Sequence, residues 1–304
     1  MLVGVTLVTF VLSHVIPGGA ARGALGARAT PGQIASFNQI NGYDLPLWDQ
    51  LYRYLEGLVL HFNLGYSYKS NEPVKDLIFS RLPKTLVLLG LSTTLALVVA
   101  IPLGILQVVR RNTVVDYLLT AMSFLLYAMP DFLIGLLLIL YLAVDVHLFS
   151  IAAPNASTVA GILADPRALV LPVLTLASTT VAAFSRYMRS SMMDVLTQDY
   201  IRTARAKGAS KGRVLYRHAL RNGLISIVTL LGLSIPAIVS GAVVDETVFN
   251  YPGMGLLTYN AALNNDVPLL LGTTFVAAIS VIVGSLVADV LYAVVDPRIR
   301  YAKR

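Results

Sequence analysis

Six segments of the chain are almost wholly apolar, and polar stretches separate them. They lie near residues 1–16, 85–109, 116–144, 168–188, 223–244 and 268–294. A helix needs about 20 apolar residues to cross ~30 Å of hydrocarbon, because it rises ~1.5 Å per residue. The pattern therefore predicts an all-α integral membrane protein with six transmembrane helices.

Composition supports this interpretation and excludes several kinds of chemistry. Of the 304 residues, 56% are hydrophobic and 13% are charged, whereas a soluble domain has about 25% charged residues. The absence of cysteine excludes a disulfide framework, a thiolate metal site and a cysteine nucleophile. The four histidines are too scattered for a metal-binding motif such as HExxH. We expect no catalytic residue, no metal site and no enzymatic activity.

Lysine and arginine are unevenly divided among the polar segments. Most of the 23 follow the second, fourth and sixth spans, and residues 245–267 contain none. Short loops rich in these residues stay in the cytoplasm. The distribution predicts a multi-pass protein with both termini, including the tail 295–304, in the cytoplasm.

The first span, 1–16, is short and has no basic residue before it. An upstream basic segment would complete it. A cleaved signal peptide is the alternative, but only its small-residue cleavage region is present, in GGAARGALGA. Residues 17–84 are predicted to form an extracytoplasmic subdomain. Its stretch LWDQLYRYLEGLVLHF either folds within that subdomain or lies on the bilayer as an interfacial helix.

Small residues recur every fourth position in the second span. Ser92, Ala96, Ala100 and Gly104 form this ridge. Small side chains let a second helix approach closely in lipid, so the ridge predicts a packing face.

The third span is too long to be one straight helix perpendicular to the bilayer. At ~1.5 Å per residue, a continuous helix over 116–144 would be ~43 Å long, so it must tilt, bend or protrude. Pro130, Asp131 and Phe132 lie in its middle. A carboxylate facing lipid costs at least ~2.5 kcal/mol. Asp131 therefore either lines a substrate path or caps the half-helix that follows Pro130.

The loop 186–222, between the fourth and fifth spans, is long and basic. Residues 186–221 carry nine basic and two acidic groups. The stretch DYIRTARAKGASKGRVLYRHAL predicts two short helices. Asp199 caps the first, Gly208 ends it and Ser210 caps the second.

One face of the first short helix carries Ile201, Ala204 and Gly208. This face favours docking of a partner protein, because small side chains permit close approach. The alternative is a basic patch attracted to anionic lipid, which explains the charges but not the small face.

The same loop resembles the EAA-loop region of ABC importer permeases, specifically the B-type subunits of dipeptide and oligopeptide permeases. Further motifs of that subclass follow the same order along the chain: LGYSYKSNEPVKDLIFSRLPKTLVL at 64–88, Pro130-Asp131-Phe132 with Gly135, DETVFNYPGMG at 245–255 and DPRIR at 296–300. The general Glu-Ala-Ala pattern is replaced by Arg202, Thr203 and Ala204 before Gly208, as in peptide-type members.

The resemblance implies a type I ABC importer permease of MetI-like fold. Six transmembrane helices, an external subdomain after the first span and a permease core over 85–294 are expected. The function implied is import of di- or oligopeptides across a bacterial inner (plasma) membrane, with this chain forming half of the pathway. Nickel-chelate or glutathione cargo is the alternative within the family. An ion-coupled secondary transporter is a further alternative, although Asp131 has no paired intramembrane carboxylate.

The partners implied are a second homologous permease, two ATPase subunits, an extracytoplasmic peptide-binding protein and the lipid bilayer, with no nucleic acid. The chain has no GxxxxGK[ST] motif, so ATP and Mg would be bound by the ATPase subunits and no cofactor by this chain. The residues expected to dock the ATPase are Tyr200, Arg202, Thr203, Ala204, Ala206, Lys207, Gly208, Ser210 and Arg213. The pathway candidates are Pro130, Asp131, Phe132, Glu246 and Phe249.

Overall fold

The structure is a computed structural model that describes residues 2–15, 19–26, 28–240 and 242–295. Side chains are described for 3–11, 19–26, 28–232 and 242–290. The DPRIR ending lies outside the described residues, as does the predicted tail beyond residue 295.

Helices dominate the described chain, as the apolar pattern predicts. The helices up to the third predicted span are α1 (Leu2–Val15), α2 (Gly19–Leu25), α3 (Pro31–Asn41), α4 (Leu47–His61), α5 (Val74–Val109), α6 (Val114–Ala128) and α7 (Asp131–Leu138). The later ones are α8 (Val159–Leu163), α9 (Pro166–Leu196), α10 (Asp199–Ala206), α11 (Leu220–Ser240), α12 (Val243–Val248), α13 (Met254–Leu263) and α14 (Val267–Val295).

Three short features interrupt the helical pattern. Strands β1 (Tyr66–Ser67) and β2 (Glu72–Pro73) form an antiparallel pair in which Tyr66 opposes Pro73. Two π-helical segments, Ile139–Asp145 and Arg213–Ala219, continue α7 and precede α11. None of these features has a period in the apolar pattern that would predict it.

In the described residues, each predicted span overlaps a helix or, for the third, a helix pair. Within the described residues, three helices are long and apolar enough to cross a membrane: Val74–Val109, Pro166–Leu196 and Val267–Val290. The pair Val114–Ala128 and Asp131–Asp145 qualifies as a fourth, broken span. The fold class is confirmed, and the count of six spans stays a prediction.

The third span bends by 105° between α6 and the segment that starts at Asp131. Met129 is extended, with φ −79° and ψ 135°, because the residue before a proline is disfavoured in the helical region. Pro130 has no N–H to continue the helix. The predicted conflict of length is therefore resolved by a bend.

The chain folds into two compact units, each built from separate stretches of sequence. The first unit comprises Met1–Leu86, Pro154–Ala164 and Ser240–Ser280. The second comprises Val87–Ala153, Asp165–Val239 and Val281–Arg304. The predicted subdomain 17–84 lies wholly within the first unit.

The core of the first unit joins its N-terminal helices to residues more than 150 positions later in sequence. Leu58 of α4, Ile78 of α5, Leu257 of α13 and Leu269 of α14 belong to one buried cluster. The β1–β2 pair is held to the same unit by Ser67, whose hydroxyl donates to Asp266 Oδ2 at 2.5 Å.

The second unit is organised around α9. Ser92, Ala96 and Ala100 of α5 are buried, which confirms the predicted packing face. At the next ridge position, a Cβ on Gly104 would lie 2.5 Å from Met188 Cβ. Helices α5 and α9 can therefore approach this closely only because Gly104 has no side chain. In lipid, this close approach replaces the hydrophobic drive for helix association.

We predict that Gly104→Ala destabilises the protein by about 1–3 kcal/mol, since the added methyl overpacks the contact with Met188. Gly90→Ala, in the same helix, is the matched control, because a Cβ there meets nothing within 4 Å. Thermal unfolding of both variants in detergent checks this. Equal midpoints would show that the α5–α9 contact has room for a methyl group.

Candidate functional site

One side chain of helix α10, Ile201, is buried in the second unit. Ile201 is 0% exposed and belongs to a buried cluster with Met188, Met192 and Val214. This finding corrects the predicted docking face, because Ile201 contacts the chain's own core and is not available to a partner. The outward surface of α10 is instead formed by its exposed residues, on the other sides of the helix.

The end of α10 is a complete Schellman motif. Gly208 adopts φ +80°, its N–H donates to the Arg205 carbonyl at 2.9 Å, and the Ala209 N–H donates to the Ala204 carbonyl at 3.1 Å. This pairing satisfies two helix-terminal carbonyls, and it needs a left-handed residue that glycine adopts at least cost. Gly208 therefore ends the helix as predicted.

The predicted caps have different outcomes. The Ser210 hydroxyl accepts from the Arg213 N–H at 3.4 Å, so Ser210 caps the following helical segment as expected. Asp199 is not the cap of α10, because Gln198 holds that position. Asp199 lies in the first turn, where its charge complements the helix dipole, and its Oδ1 accepts from Arg202 at 3.4 Å.

The α10 surface is positively charged and open. The predicted docking residues Tyr200, Arg202, Thr203, Ala206, Lys207, Gly208, Ser210 and Arg213 are exposed, and Ala204 is half-buried. Tyr200 is also tied to α11, since its hydroxyl accepts from Asn222 Nδ2 at 2.9 Å. The surface thus belongs to a short helix that is held by the buried Ile201, by the turn at Gly208 and by the hydrogen bond between Tyr200 and Asn222.

An ion pair holds α9, the helix that leads into α10. Arg189 donates through Nε to Asp116 Oδ1 at 3.1 Å and through Nη2 to Oδ2 at 3.0 Å. Asp116 is buried and also accepts from the Asn112 N–H at 3.1 Å. A two-point contact of this kind fixes direction as well as distance. Sequence reasoning missed the pair; an acidic residue opening an apolar run was its only signal.

Arg186 was expected to be part of the basic loop, but it is held against aromatic rings. Its guanidinium carbon lies 4.2 Å from the Tyr127 ring centroid and 5.2 Å from that of Phe124. These distances are within the range of cation–π contacts. The first basic residue of the loop therefore stabilises the packing of α9 on α6.

The residues at the bend of the third span are accessible to different degrees. Pro130 and Phe132 are exposed and Asp131 is half-buried. Helix α7 begins at Asp131 with Pro130 at the N-cap position, so the carboxylate lies in the first turn and is not the cap. The role of these three residues in a pathway stays a prediction.

Glu246 is the centre of a buried turn at 245–255. Its Oε1 accepts from the Thr85 hydroxyl at 2.7 Å, and its Oε2 accepts from the Leu256 N–H at 3.0 Å. The Thr85 oxygen accepts in turn from the Met254 N–H at 2.8 Å. Gly253 is required here, because a Cβ would collide with the Glu246 carboxylate. Burial raises the pKa of Glu246, while the hydrogen bonds from Thr85 and Leu256 lower it.

This geometry corrects the predicted role of Glu246 and Phe249 as pathway residues. Both side chains are 0% exposed, so neither can meet a substrate or a binding protein in this conformation. Tyr251, also buried, donates its hydroxyl to the Lys84 carbonyl at 2.7 Å. The motif DETVFNYPGMG therefore supplies the interior of the first unit.

We predict that Thr85→Val destabilises the protein by about 1–3 kcal/mol, because it leaves a buried carboxylate oxygen and the Met254 N–H without their partner. Thr94→Val, at an exposed position of the same helix, is the control. Thermal unfolding and limited proteolysis of the 245–255 segment measure the effect. Identical behaviour of the two variants would refute the structural role of the Thr85–Glu246 pair.

Comparisons with known proteins agree with this fold. Residues 1–89 match the N-terminal family of binding-protein-dependent transport system membrane components. The oligopeptide transport system permease protein AppB of Bacillus subtilis is 39% identical over 303 residues, covering 99% of this chain and 96% of that protein. The dipeptide transport system permease protein DppB of Escherichia coli K12 is 34% identical over 324 residues, covering 99% and 95%.

A solved structure of the MetNI methionine ABC transporter, in an inward-facing conformation, has a similar fold. The TM-score is 0.55 at 18% identity, over 72% of this chain and 96% of the compared chain. This similarity confirms the MetI-like fold. Because residues 100–301 match the binding-protein-dependent transport system inner membrane component family, the chain is an integral membrane protein that belongs to that family.

Proposed function

We propose that this chain is the permease subunit of an ATP-driven importer of di- and oligopeptides in a bacterial inner membrane. The family membership supports a transport subunit that works with a binding protein. The names of the full-length relatives support peptide as the cargo. Glutathione and nickel chelates are the competing cargoes, and direct uptake separates them from peptides.

The importer is a complex of several proteins. A second homologous permease completes the pathway, two ATPases bind on the cytoplasmic side, and an extracytoplasmic receptor delivers the peptide. This chain performs no covalent chemistry; it changes the side of the membrane to which the pathway opens. Because a ligand shifts such an equilibrium only by binding one state better, the ATPases must hold one conformation of α10 more tightly.

The α10 surface is the observation that carries this proposal. It is exposed and basic, yet Ile201 anchors it in the same buried cluster as Met188 and Met192 of α9. A partner that moves α10 therefore moves α9 through two intervening residues, Thr197 and Gln198. The contact at Gly104 and the ion pair Arg189–Asp116 pass that displacement to α5 and α6. An ATPase groove with carboxylate groups at its rim complements the charges.

At the bend of the third span, Pro130, Asp131 and Phe132 are the proposed pathway residues. The half-buried carboxylate of Asp131 offers an acceptor for the amino terminus or the amide N–H groups of a peptide. Helix α7 packs on α9, so this carboxylate is coupled to the same helix that α10 displaces.

The function is tested by uptake into proteoliposomes that contain this chain, its sister permease, both ATPases and the receptor. We expect di- or oligopeptide uptake that requires ATP and the receptor, and that is lost when this chain is omitted. Peptide transport by this chain alone without nucleotide would reject the importer. Uptake of nickel chelate or glutathione in place of peptide would reject the cargo.

The docking surface is tested at Gly208. A leucine there adds a side chain to the α10 surface and about 1–2 kcal/mol of left-handed backbone strain, which makes the observed conformation of the turn about tenfold less favourable. We expect Gly208→Leu to lower ATPase co-purification and ATP-dependent uptake, with membrane insertion unchanged.

Two controls separate strain from docking. Gly208→Asn adds a side chain that tolerates the left-handed conformation, so a similar loss in this variant assigns the defect to the surface. Gly212→Ala adds a methyl group at an exposed helical position where nothing lies within 4 Å, and it should behave as wild type. Normal uptake and ATPase binding in both Gly208 variants would contradict docking at this turn.

A further inference from the structure

Helix α4 has two apolar faces, and only one of them packs against other residues in the described part of the chain. Leu51, Tyr54 and Leu58 recur on the inner face and lie in the buried clusters of the first unit. Trp48, Tyr52, Leu55 and Val59 recur at i, i+4, i+7 and i+11, which places them together on another face.

The second face is open in the described structure. Trp48 is 80% exposed and Val59 76% exposed, and Tyr52 is also exposed. Phe62, at the C-cap of the helix, is also exposed. A continuous apolar surface that includes the only tryptophan of the chain is a marker of an interaction site.

The inner face fixes where α4 lies in the first unit. The Tyr54 and Phe10 rings stack with centroids 6.1 Å apart, so α4 packs on α1. Phe10 lies in one buried cluster with Val267 and Leu271, the first turns of α14. Residues Val267–Val290 of α14 are long and apolar enough to cross a membrane. Helix α4 is therefore attached at the point where a membrane span begins.

Lipid is the partner that this position supplies. Helix α1, which packs on the inner face of α4, also exposes apolar side chains, namely Val3, Val8 and Val11. Tryptophan and tyrosine prefer the boundary between headgroups and hydrocarbon, where an amphipathic ring finds both environments.

The polar side of α4 fits the same arrangement. Asp49, Arg53 and Glu56 recur at i, i+4 and i+7 along the adjacent edge, and all three are exposed. Charged groups on one edge and aromatic or aliphatic groups on the next are typical of a helix that lies in the membrane interface. A helix that crosses the bilayer would instead be apolar all round.

We propose that the face formed by Trp48, Tyr52, Leu55 and Val59 is inserted into the outer boundary of the bilayer and anchors the first unit to the membrane surface. The sequence left two alternatives for this stretch, a helix within the folded subdomain or an interfacial helix on the bilayer, and the proposal combines them. Helix α4 belongs to the folded subdomain through its inner face and lies on the bilayer through its outer face. This inference requires that the chain spans a membrane in the orientation predicted from its basic residues, and it is independent of the cargo.

The single tryptophan provides the test. The full-length chain is reconstituted into phosphatidylcholine–phosphatidylglycerol vesicles that contain lipids brominated near the headgroup end or near the middle of the acyl chains. We expect loss of most of the Trp48 emission with the shallow quencher and a smaller loss with the deep one, because such helices lie about 5–10 Å into the interface. Emission that neither lipid changes would overturn the proposal.

A double variant, Trp48→Phe with Lys69→Trp, is the control for quenching. It moves the tryptophan to the exposed turn between β1 and β2. Its emission should respond to aqueous iodide and not to brominated lipid. Equal lipid quenching at both positions would overturn the proposal, because the contact with lipid would then not be specific to the face of α4.

The face variants are Val59→Asp and Leu60→Asp, two adjacent exposed aliphatic positions. Val59 lies on the proposed face and Leu60 outside it. We expect Val59→Asp to reduce the quenching of Trp48 by shallow brominated lipid and Leu60→Asp to leave it unchanged. Shielding of Trp48 only when the extracytoplasmic receptor is added would assign the face to that protein, and shielding that grows with protein density would assign it to a second copy. Either result overturns the proposal.

Discussion

The structure of the second unit depends on the close approach of α9 to its neighbours. Hydrocarbon gives no hydrophobic drive for helices to associate, so they must be held by packing and polar contacts. Gly104 lets α5 reach Met188, and Gly223 lets α11 reach Met192, whose Sδ would lie 2.9 Å from an added Cβ. The Arg189–Asp116 pair adds a directed contact to α6. Helix α9 is thus in close contact with α5, α11 and α6. A displacement of α9 therefore displaces these neighbours as well.

The exposed surface of α10 can transmit the movement of a partner only because α10 is fixed to the helices of the second unit. A short, basic helix joined to flexible segments would respond to a partner by bending. Here Ile201 is buried, Gly208 fixes the exit direction through its left-handed backbone, and Tyr200 is hydrogen-bonded to Asn222. In the proposed docking, the charged residues provide attraction, and the buried and hydrogen-bonded ones provide stiffness. This division of roles explains why one turn of sequence carries both Arg202 and Ile201.

Features set by local chemistry could be predicted from the sequence. The apolar runs, the ridge ending at Gly104, the stop at Gly208 and the cap at Ser210 each depend on residues within one turn or one span. Features set by distant partners could not. Nothing near Glu246 in sequence indicates that Thr85 pairs with it, and the exposure of Ile201 could not be judged without the cluster that contains Met188. The resemblance to a family suggested a function, but it did not indicate which side chains, such as Glu246 and Ile201, are buried.

In the buried turn at 245–255, the Glu246 carboxylate fixes the conformation of the backbone. An apolar side chain of similar size would avoid the desolvation cost of Glu246, and buried charges are poor sources of net stability. However, an apolar group could not accept from the Thr85 hydroxyl and the Leu256 N–H at once. Those two bonds, with the Met254 N–H to Thr85, fix the path of the backbone between α12 and α13. A fixed turn there determines where α13 begins, and α13 supplies Leu257 to the core that also holds α4. The orientation of the α4 face that we propose to meet the bilayer therefore depends on a carboxylate nearly two hundred residues away, which holds the other side of the α4 core in place.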